Sequence, residues 1–330
     1  MLQPTLKHLF EHKTLTKEIS KEILTNIASD KYNKSEIAAF LTVFQMRPIT
    51  VDELTGFRDA LLELCIRIDL GDFNTIDMCG TGGDSKNTFN ISTLASLVVA
   101  GAGAKVSKHG NYGVSSSCGS SNVMEYLGYQ FTSDAEKLKR QLDKANICFL
   151  HAPLFHPAMK AVAPIRKELG VKTFFNMLGP MVNPSLPQNQ LVGVFSLELA
   201  RLYQYIYQQG TKNFSIIHSL DGYDEVSLTS PFKVITKQGE SLLNPSDLGK
   251  SLLMENDLYG GETIEQSAKI FTTILDGKGT LVQNNVVIAN AAMALHCYEP
   301  SKSISDCLSG AEESLKQGRA KNALKILLEI

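Results

Sequence analysis

The first seventy residues carry apolar side chains at the three- to four-residue spacing of amphipathic helices. This spacing recurs at residues 6–10, 19–24 and 37–44. Thr50, followed three residues later by Glu53, predicts a capping box for a further helix through Leu62. Since no strand-like alternation interrupts the pattern, we expect a small helical domain over residues 1–70.

From Thr75 onward, short apolar runs alternate with segments of helical length. The predicted strands are TIDMC, AKVS, ICFLHA, QLVGVFS and FSIIHS, and the predicted helices are ISTLASLVVAGAG, AEKLKRQLDKAN, LELARLYQYIYQQ and VVIANAAMALHCY. Such alternation is typical of parallel sheets with crossover helices. We therefore predict an α/β domain over residues 71–330, with a mostly parallel central sheet flanked by helices.

The composition and charge of the chain bear on whether it binds nucleic acid, spans a membrane or is cytoplasmic. The 330 residues carry a formal charge of -2, which gives no overall positive field for drawing in nucleic acid. The longest apolar run, residues 94–104, falls well short of the roughly 20 residues that span a bilayer. Six scattered cysteines without a CxxC pair, and charges at Lys7, Glu11 and Lys13, favour a cytoplasmic protein. We expect neither a nucleic-acid nor a membrane partner.

A glycine-rich loop, DMCGTGGDSKNTFNIST at residues 77–93, lies between a predicted strand and a helix that should begin near Ile91. Glycines at 80, 82 and 83 would permit positive φ and close backbone approach. Free N–H groups at a helix start bind anions, so the loop suits phosphate. Further donors on the first helical turn are Asn90, Ser92 and Thr93.

Two familiar phosphate motifs do not fit this loop. A P-loop ends in Gly-Lys-Ser/Thr, but here Lys86 is followed by Asn87. A dinucleotide fingerprint needs a third glycine where Ser85 stands, and no convincing acidic ribose ligand follows. On this loop alone, a plain glycine turn with ordinary helix caps stays equally open.

A second polar loop, KHGNYGVSSSCGSSNV at residues 108–123, follows a strand predicted to end at Ser107 and precedes a helix predicted near Ser120. Lys108 can supply a charge to phosphate, and serine hydroxyls can add donors, from Ser115, Ser116 and Ser120. His109 and Asn111 could contact an acceptor molecule. The alternative for His109 is a hydrogen bond to backbone.

Residues 156–184 form a third segment, which four prolines should break into short pieces crossing between two lobes: Pro157, Pro164, Pro180 and Pro184. Arg166 could grip a carboxylate through its guanidinium fork. The alternative is a surface arginine beside Lys167 and Glu168. We expect part of 160–190 to join the helical domain.

A fourth segment, HSLDGYDEVSLTSP at residues 218–231, places Asp224 and Glu225 after a strand predicted over residues 214–217. Magnesium prefers hard oxygen ligands and commonly bridges protein carboxylates to substrate phosphates. The pair therefore complements the two phosphate loops. A solvated acidic turn is the alternative.

Six motifs occur in this order along the chain: GTGGD, NIST, KHGN, HPAMK with APIRKELG, FNMLGP and DEVSLT. In these motifs and their order, the chain resembles the anthranilate phosphoribosyltransferase family over about residues 35–310. The resemblance implies a nucleoside-phosphorylase-like fold, homodimerisation through the helical part, and a role in tryptophan biosynthesis. It also implies the reaction: with Mg²⁺, anthranilate and 5-phosphoribosyl 1-diphosphate (PRPP) give N-(5-phosphoribosyl)anthranilate and diphosphate.

The resemblance also implies roles for individual residues. Matching the PRPP positions are Gly80, Gly83, Asp84, Thr88, Asn90, Ile91, Ser92, Thr93, Lys108, Ser116 and Ser120. Matching the metal positions are Ser92, Asp224 and Glu225, and matching the anthranilate positions are Gly80, His109, Asn111, Arg166 and Pro180. No covalent nucleophile is expected, because the amine itself attacks, and transition-state stabilisation falls to Lys108, Asn90 and Ser92.

Some positions depart from the usual family pattern, and two alternatives remain. The departures are Tyr112, Ser117 and Asn122 near the second loop, and Ser219 where a glycine is usual before the acidic pair. A pyrimidine nucleoside phosphorylase would share the fold without needing paired metal carboxylates. A non-catalytic nucleic-acid-binding relative would need a basic groove, which the near-neutral charge does not favour.

Overall fold

The computed structural model describes residues 1–113 and 118–330, and the chain divides into two compact units. A helical unit comprises residues 1–67 and 152–184, and an α/β unit comprises residues 68–151 and 185–330. The chain therefore crosses between the units three times. Ser115, Ser116 and Ser117 of the predicted second loop lie outside the described residues.

Between residues 75 and 219 the described strands are separated by helices, as the pattern predicts. The first seven helices are α1 (Gln3–Phe10), α2 (Lys17–Ala28), α3 (Lys34–Met46), α4 (Val51–Leu64), α5 (Ile91–Gly101), α6 (Ser120–Tyr126) and α7 (Ala135–Ala145). They are followed by α8 (Ala152–Phe155), α9 (Met159–Leu169), α10 (Phe175–Leu178), α11 (Leu197–Tyr207), α12 (Ile264–Leu275), α13 (Leu281–Tyr298), α14 (Ile304–Lys316) and α15 (Arg319–Glu329). In the part of the chain described, none of the helices is long and apolar enough to cross a membrane.

In the helical unit, capping and aromatic packing fix the bundle. The predicted capping box of Thr50 and Glu53 begins α4 and is confirmed. Four phenylalanines pack with ring centroids 4.4–6.1 Å apart: Phe40, Phe44, Phe57 and Phe174. Such aromatic contacts add to the free energy gained by burying the rings.

Glu53 is fully buried in this unit, yet its carboxylate has many hydrogen-bond donors. Arg47 donates to both carboxylate oxygens at 2.5 and 3.0 Å, and the backbone N–H groups of Leu15 and Thr50 each donate at 2.9 Å. Burial alone would raise the pKa of Glu53, but these bonds outweigh it and hold the pKa below its usual value. The carboxylate thus ties Leu15, two residues before α2, to the start of α4.

The α/β unit contains a seven-stranded sheet in the described part of the chain. Its strands are β1 (Thr75–Gly80), β2 (Lys105–Gly110), β3 (Ile147–His151), β4 (Asn189–Gly193), β5 (Asn213–Ser219), β6 (Phe232–Thr236) and β7 (Glu240–Leu243), in the order β3-β2-β1-β4-β5-β6-β7. Strands β1 to β5 are parallel, which confirms the mostly parallel sheet, whereas β6 and β7 pair antiparallel. The two antiparallel strands were not predicted, and β7 has only four residues and no buried face.

Helices α5 and α13 carry much of the core of this unit. In α5, nine residues from Ile91 to Ala100 are buried, and α13 is buried almost without interruption from Val286 to Cys297. Helices that are apolar on most of their surface must lie inside a domain. Both helices pack against the central strands and hold the loops that follow β1 and β5.

Two boundaries differ from the sequence prediction. Strand β2 continues to Gly110, so Lys108 and His109 belong to the strand and not to the loop after Ser107. Pro164 lies inside α9 and does not break it, although we expected the prolines to divide this segment. A proline within a helix removes one backbone donor, and here the ten other residues of α9 still form the helix.

Candidate active site

A cavity opens where the carboxyl ends of β1, β4 and β5 lie side by side. It is lined by Met78, Cys79, Gly80, Ser92, Leu191, Gly193, Ile217, Asp224, Glu225 and Asn290. Ligands of open α/β sheets bind at this end of the strands. Three predicted elements, namely the glycine loop, the start of α5 and the acidic pair, therefore meet within the α/β unit.

The glycines around this cavity have two different roles. Gly82 and Gly83 have positive φ, as predicted, and so does Ser85 at 63°, which was not predicted. Gly80 has no positive φ, so that expectation was wrong. A Cβ atom on Gly80 would lie 2.3 Å from Asp224 Oδ2, and one on Gly193 would lie 1.4 Å from the Asp224 carbonyl oxygen. These two glycines make room for Asp224.

Asp224 lies against the glycine loop. The N–H of Gly82 donates to Asp224 Oδ2 at 2.6 Å, and the carboxyl groups of Asp84 and Asp224 are close enough to hydrogen-bond. Burial, and then the charge of Asp84, raises the pKa of Asp224 to about 7. The loop and the acidic pair are thus in direct contact.

Glu225 is buried with few partners. Its Oε1 accepts no hydrogen bond from the described protein groups, and the hydroxyl of Thr88 bonds to the carboxylate. Burial, followed by the charges of Asp224 and Asp84, raises the pKa of Glu225 well above its ordinary value. A buried carboxylate of this kind is stabilised by a cation.

The donors at this place are hard oxygen atoms, namely the two carboxylates of the pair and the Ser92 hydroxyl. Within residues 1–113 and 118–330, no three His, Cys, Asp or Glu side chains are grouped closely enough to hold a metal ion by themselves. Magnesium is usually held by one or two carboxylates, with water and phosphate oxygens completing its shell. The donor set therefore fits Mg²⁺ together with a phosphate ligand.

Lys108 is almost fully buried beside this acidic group. Its Nζ donates to the carbonyl oxygen of Met78 at 2.5 Å. Burial lowers the pKa of Lys108, while nearby Cys79, Asp77 and Glu225 act in the opposite direction. On the same strand, the His109 backbone N–H donates to Asp77 Oδ1 at 3.0 Å. A positive charge therefore lies within the electrostatic reach of the acidic pair.

The first turn of α5 connects the two loops. The Asn90 amide donates to the Cys118 carbonyl at 2.9 Å and does not cap the helix. Ser92 lines the cavity, whereas Ile91 and Thr93 are buried. Of the four predicted PRPP residues in this turn, Asn90 bonds to the second loop and Ser92 faces the cavity. The other two, Ile91 and Thr93, pack in the protein interior.

The described part of the second loop is fixed at Asn111. Its carbonyl oxygen accepts from Ser120 Oγ at 3.2 Å and from the Ser121 N–H at 3.1 Å. Among the departures in this region, Tyr112 packs against His151, with ring centroids 4.8 Å apart. Asn122 Oδ1 accepts from the backbone of Gly113 and Gly119 at 2.9 and 3.0 Å. The Asn122 side chain therefore joins Gly113 to Gly119, and Tyr112 packs on the end of β3.

Arg166 and Pro180 belong to the helical unit, whereas the other predicted anthranilate residues belong to the α/β unit. Arg166 lies on α9, donates to Asn176 Oδ1 at 3.2 Å and lies over the Phe175 ring at 5.3 Å. It has no ion pair among the described residues. Pro180 is buried in a 3-10 turn, Gly179–Met181.

Asn290 and Gly193 both line the cavity, and neither was predicted from the sequence as a site residue. Asn290 is a buried amide on α13, hydrogen-bonded to the backbone of Val226. A lone asparagine inside the apolar stretch VVIANAAMAL was the available signal. A buried polar side chain needs partners, so its presence there indicated a specific backbone contact.

Two sequence profiles match the chain. One, described as "Glycosyl transferase family, helical bundle domain", matches residues 3–65, and the other, "Glycosyl transferase family, a/b domain", matches residues 72–321. Full-length relatives carry the name anthranilate phosphoribosyltransferase. The protein of Flavobacterium johnsoniae is 62% identical over 100% of this chain and 99% of its own, and that of Cytophaga hutchinsonii is 53% identical over 98% and 99%.

Solved structures give the same result. The anthranilate phosphoribosyltransferase of Thermus thermophilus has a TM-score of 0.91 at 29% identity, covering 98% of both chains. The enzyme of Saccharomyces cerevisiae, in complex with PRPP and Mg, has a TM-score of 0.92 at 27% identity, covering 99% of this chain and 97% of its own. Fold, family profiles and full-length identity agree, and the chain belongs to the anthranilate phosphoribosyltransferase family of glycosyl transferases.

Proposed function

We propose that this protein transfers the 5-phosphoribosyl group from PRPP to the amine of anthranilate, releasing diphosphate, as a step of tryptophan biosynthesis. The observation that carries the proposal is the hydrogen bond from the Gly82 N–H to the Asp224 carboxylate. It joins the glycine loop to the acidic pair at the carboxyl end of the sheet. Family membership supplies the identity of the two substrates.

The glycine loop and the start of α5 are proposed to bind PRPP. Backbone N–H groups at a helix start, together with glycines that allow close approach, favour a phosphate group. Ser92 lines the cavity. Lys108 is close enough to Glu225 to influence its pKa, and its positive charge would favour a departing diphosphate.

Mg²⁺ is the proposed metal, held by Asp224, Glu225 and the Ser92 hydroxyl. The unpartnered Glu225 Oε1 supports this assignment, since a buried carboxylate oxygen needs a donor or a cation. When bound, the metal would neutralise charge on the diphosphate of the substrate. The yeast relative is known in complex with both PRPP and Mg.

Catalysis in this proposal depends on positioning and electrostatics. The bond between the ribose carbon and diphosphate breaks while the aromatic amine attacks that carbon, so no covalent nucleophile is required. The glycine loop and α5 hold the phosphates in place. Asn90, Ser92 and Lys108 are proposed to stabilise the charge that develops as diphosphate departs.

Arg166 is the proposed partner of the anthranilate carboxylate. Its guanidinium is partly buried, and it has a neutral amide rather than an acidic partner among the described residues. Burial lowers the pKa of Arg166, so a carboxylate ligand would compensate for lost hydration. His109, Asn111, Gly80 and Pro180 remain proposed contacts for the ring, and homodimerisation through the helical unit remains a prediction.

The direct test follows the fluorescence of anthranilate during incubation with PRPP and Mg²⁺. We expect the signal to fall only when all three components are present, and a chelator should stop the reaction. Phosphorolysis of thymidine or uridine without any anthranilate turnover would instead identify a nucleoside phosphorylase. Tight, salt-sensitive DNA binding without turnover would identify a nucleic-acid-binding relative.

A further inference from the structure

The backbone of residues 225–227 is held by two side chains from other parts of the α/β unit. Asn290 Oδ1 accepts from the Val226 N–H at 3.0 Å, while its Nδ2 donates to the carbonyl oxygens of Val226 at 2.8 Å and Val286 at 2.9 Å. The amide thus satisfies both backbone groups of Val226. One asparagine replaces the paired bonds that a neighbouring strand would provide.

Ser219 holds the residues on either side of Val226. Its hydroxyl donates to the Glu225 carbonyl at 2.6 Å and accepts from the Ser227 N–H at 3.2 Å. Ser219 is fully buried at the end of β5. A glycine could form neither bond, so this hydroxyl is an additional constraint on the segment.

These contacts are made to the backbone of Glu225 and of the two residues that follow it, next to the carboxylates proposed to bind the metal. We propose that Asn290 and Ser219 are positioning residues that fix the 225–227 backbone and so hold the Asp224 and Glu225 carboxylates in place for Mg²⁺. The inference rests on the proposed function, since it concerns how the metal pair is oriented. Neither side chain is proposed to touch the metal or either substrate.

The elements that carry the two residues are suited to this role. Asn290 lies in the buried middle of α13, and Ser219 ends a strand paired on both sides. Both side chains are therefore fixed by packing. Groups that orient metal ligands typically contribute about 10–100-fold to metal affinity or activity. The acidic pair would consequently be preorganised before the metal binds.

The test compares Asn290→Ala and Ser219→Ala with Asn284→Ala as the control. Asn284 lies on the same helix, is partly buried and donates only to the Gly279 carbonyl, away from the acidic pair. Binding of Mn²⁺ to each full-length protein is measured by electron paramagnetic resonance in the presence of saturating diphosphate, which supplies the phosphate oxygens of the metal shell. We expect the dissociation constant to rise about tenfold or more in the first two variants, and to stay within twofold in the control.

Backbone exchange provides a second measurement that requires no metal. Hydrogen exchange of the Val226 and Ser227 amides should accelerate at least tenfold in the corresponding variants, while amides of the helical unit keep their rates. A merely structural role would lower the folded fraction without raising the Mn²⁺ dissociation constant per folded molecule. Should Asn290→Ala fail to fold, Ser219→Ala alone decides the question.

Unchanged Mn²⁺ affinity in Ser219→Ala and in any folded Asn290→Ala would overturn the proposal, even if the parent protein turns over normally. The Mg²⁺ concentration for half-maximal turnover should also rise, while the KM for anthranilate stays the same. A parent protein that binds Mn²⁺ but does not transfer the phosphoribosyl group would contradict the proposed function and leave the positioning result intact. The two failures are therefore distinguishable.

Discussion

Glu53 in the helical unit and Glu225 in the α/β unit are both buried carboxylates, but their surroundings differ. Glu53 accepts bonds from Arg47 and from two backbone N–H groups, and its pKa is lowered. Glu225 has an unpartnered oxygen and an acidic neighbour, and its pKa is raised. Two buried carboxylates therefore have opposite electrostatic surroundings, and only the second site needs a ligand to complete it.

The largest expected effect is on turnover. The double variant Asp224→Asn with Glu225→Gln should lower kcat about a thousandfold, equivalent to about 4 kcal/mol of transition-state stabilisation. Its thermal unfolding midpoint should stay the same or rise, because like charges are removed from a buried place. Activity and differential scanning fluorimetry check this. A large fall in the midpoint would mean that the pair supports the fold instead.

The reverse pattern is expected in the helical unit. Arg47→Met should destabilise the protein by about 3–5 kcal/mol, because it leaves the Glu53 carboxylate buried without its cation. Turnover per folded molecule should be unchanged. Chemical denaturation measures the effect, with Lys13→Met as control, since the exposed pair of Lys13 and Glu11 contributes at most about 1 kcal/mol. An equal fall in the free energy of unfolding in Arg47→Met and Lys13→Met would show that the buried pair stabilises the protein no more than the exposed pair.

Arg166 is a cation without an ion-pair partner among the described residues, in contrast to Arg47, which pairs with Glu53. Arg166→Ala should raise the KM for anthranilate about 10–100-fold, because a charged hydrogen bond contributes about 1.5–3 kcal/mol. The KM for PRPP should change far less. Steady-state kinetics measure both constants, and Lys167→Ala, an exposed neighbour, is the control. Equal increases for both substrates would contradict binding of the anthranilate carboxylate.

The smallest effect concerns acid stability. A lowered pKa means that the Glu53 contribution is complete above about pH 4.3, the pKa of an unfolded glutamate, and is lost as the pH falls through the lower folded value. The parent should therefore exceed Glu53→Gln in thermal midpoint at neutral pH, with the difference shrinking in acid. Midpoints measured from pH 7 to 3 check this. A constant difference would show that Glu53 keeps the same protonation state throughout.

The order of elements was readable from the sequence because periodicity reflects which face is buried. Helices α1 to α4, the capping box at Thr50 and the five parallel strands follow from local pattern. Strand β7 was not predictable in this way, since it is exposed at a sheet edge and carries no apolar alternation. Pro164 was misread because local propensity gave a break that the rest of α9 overrides.

The site was only partly predictable for a related reason. The backbone geometry of neighbouring residues within one loop, such as Gly82 and Gly83, can be predicted from the sequence. Contacts across the sheet cannot. The sequence around Gly80 and Gly193 does not predict that both residues contact Asp224. The sequence around Asn290 likewise does not identify Val226 as its hydrogen-bond partner.

Gly80 and Gly193 face each other across the β1–β4 pair, and Asp224 occupies the volume that two methyl groups would fill. Alanine at Gly193 would force the Asp224 backbone to move, and alanine at Gly80 would push the Asp224 carboxylate out of the position in which it accepts from Gly82. A mutagenesis library selected for altered acceptor preference should therefore accept changes elsewhere around the opening while returning these two codons unchanged.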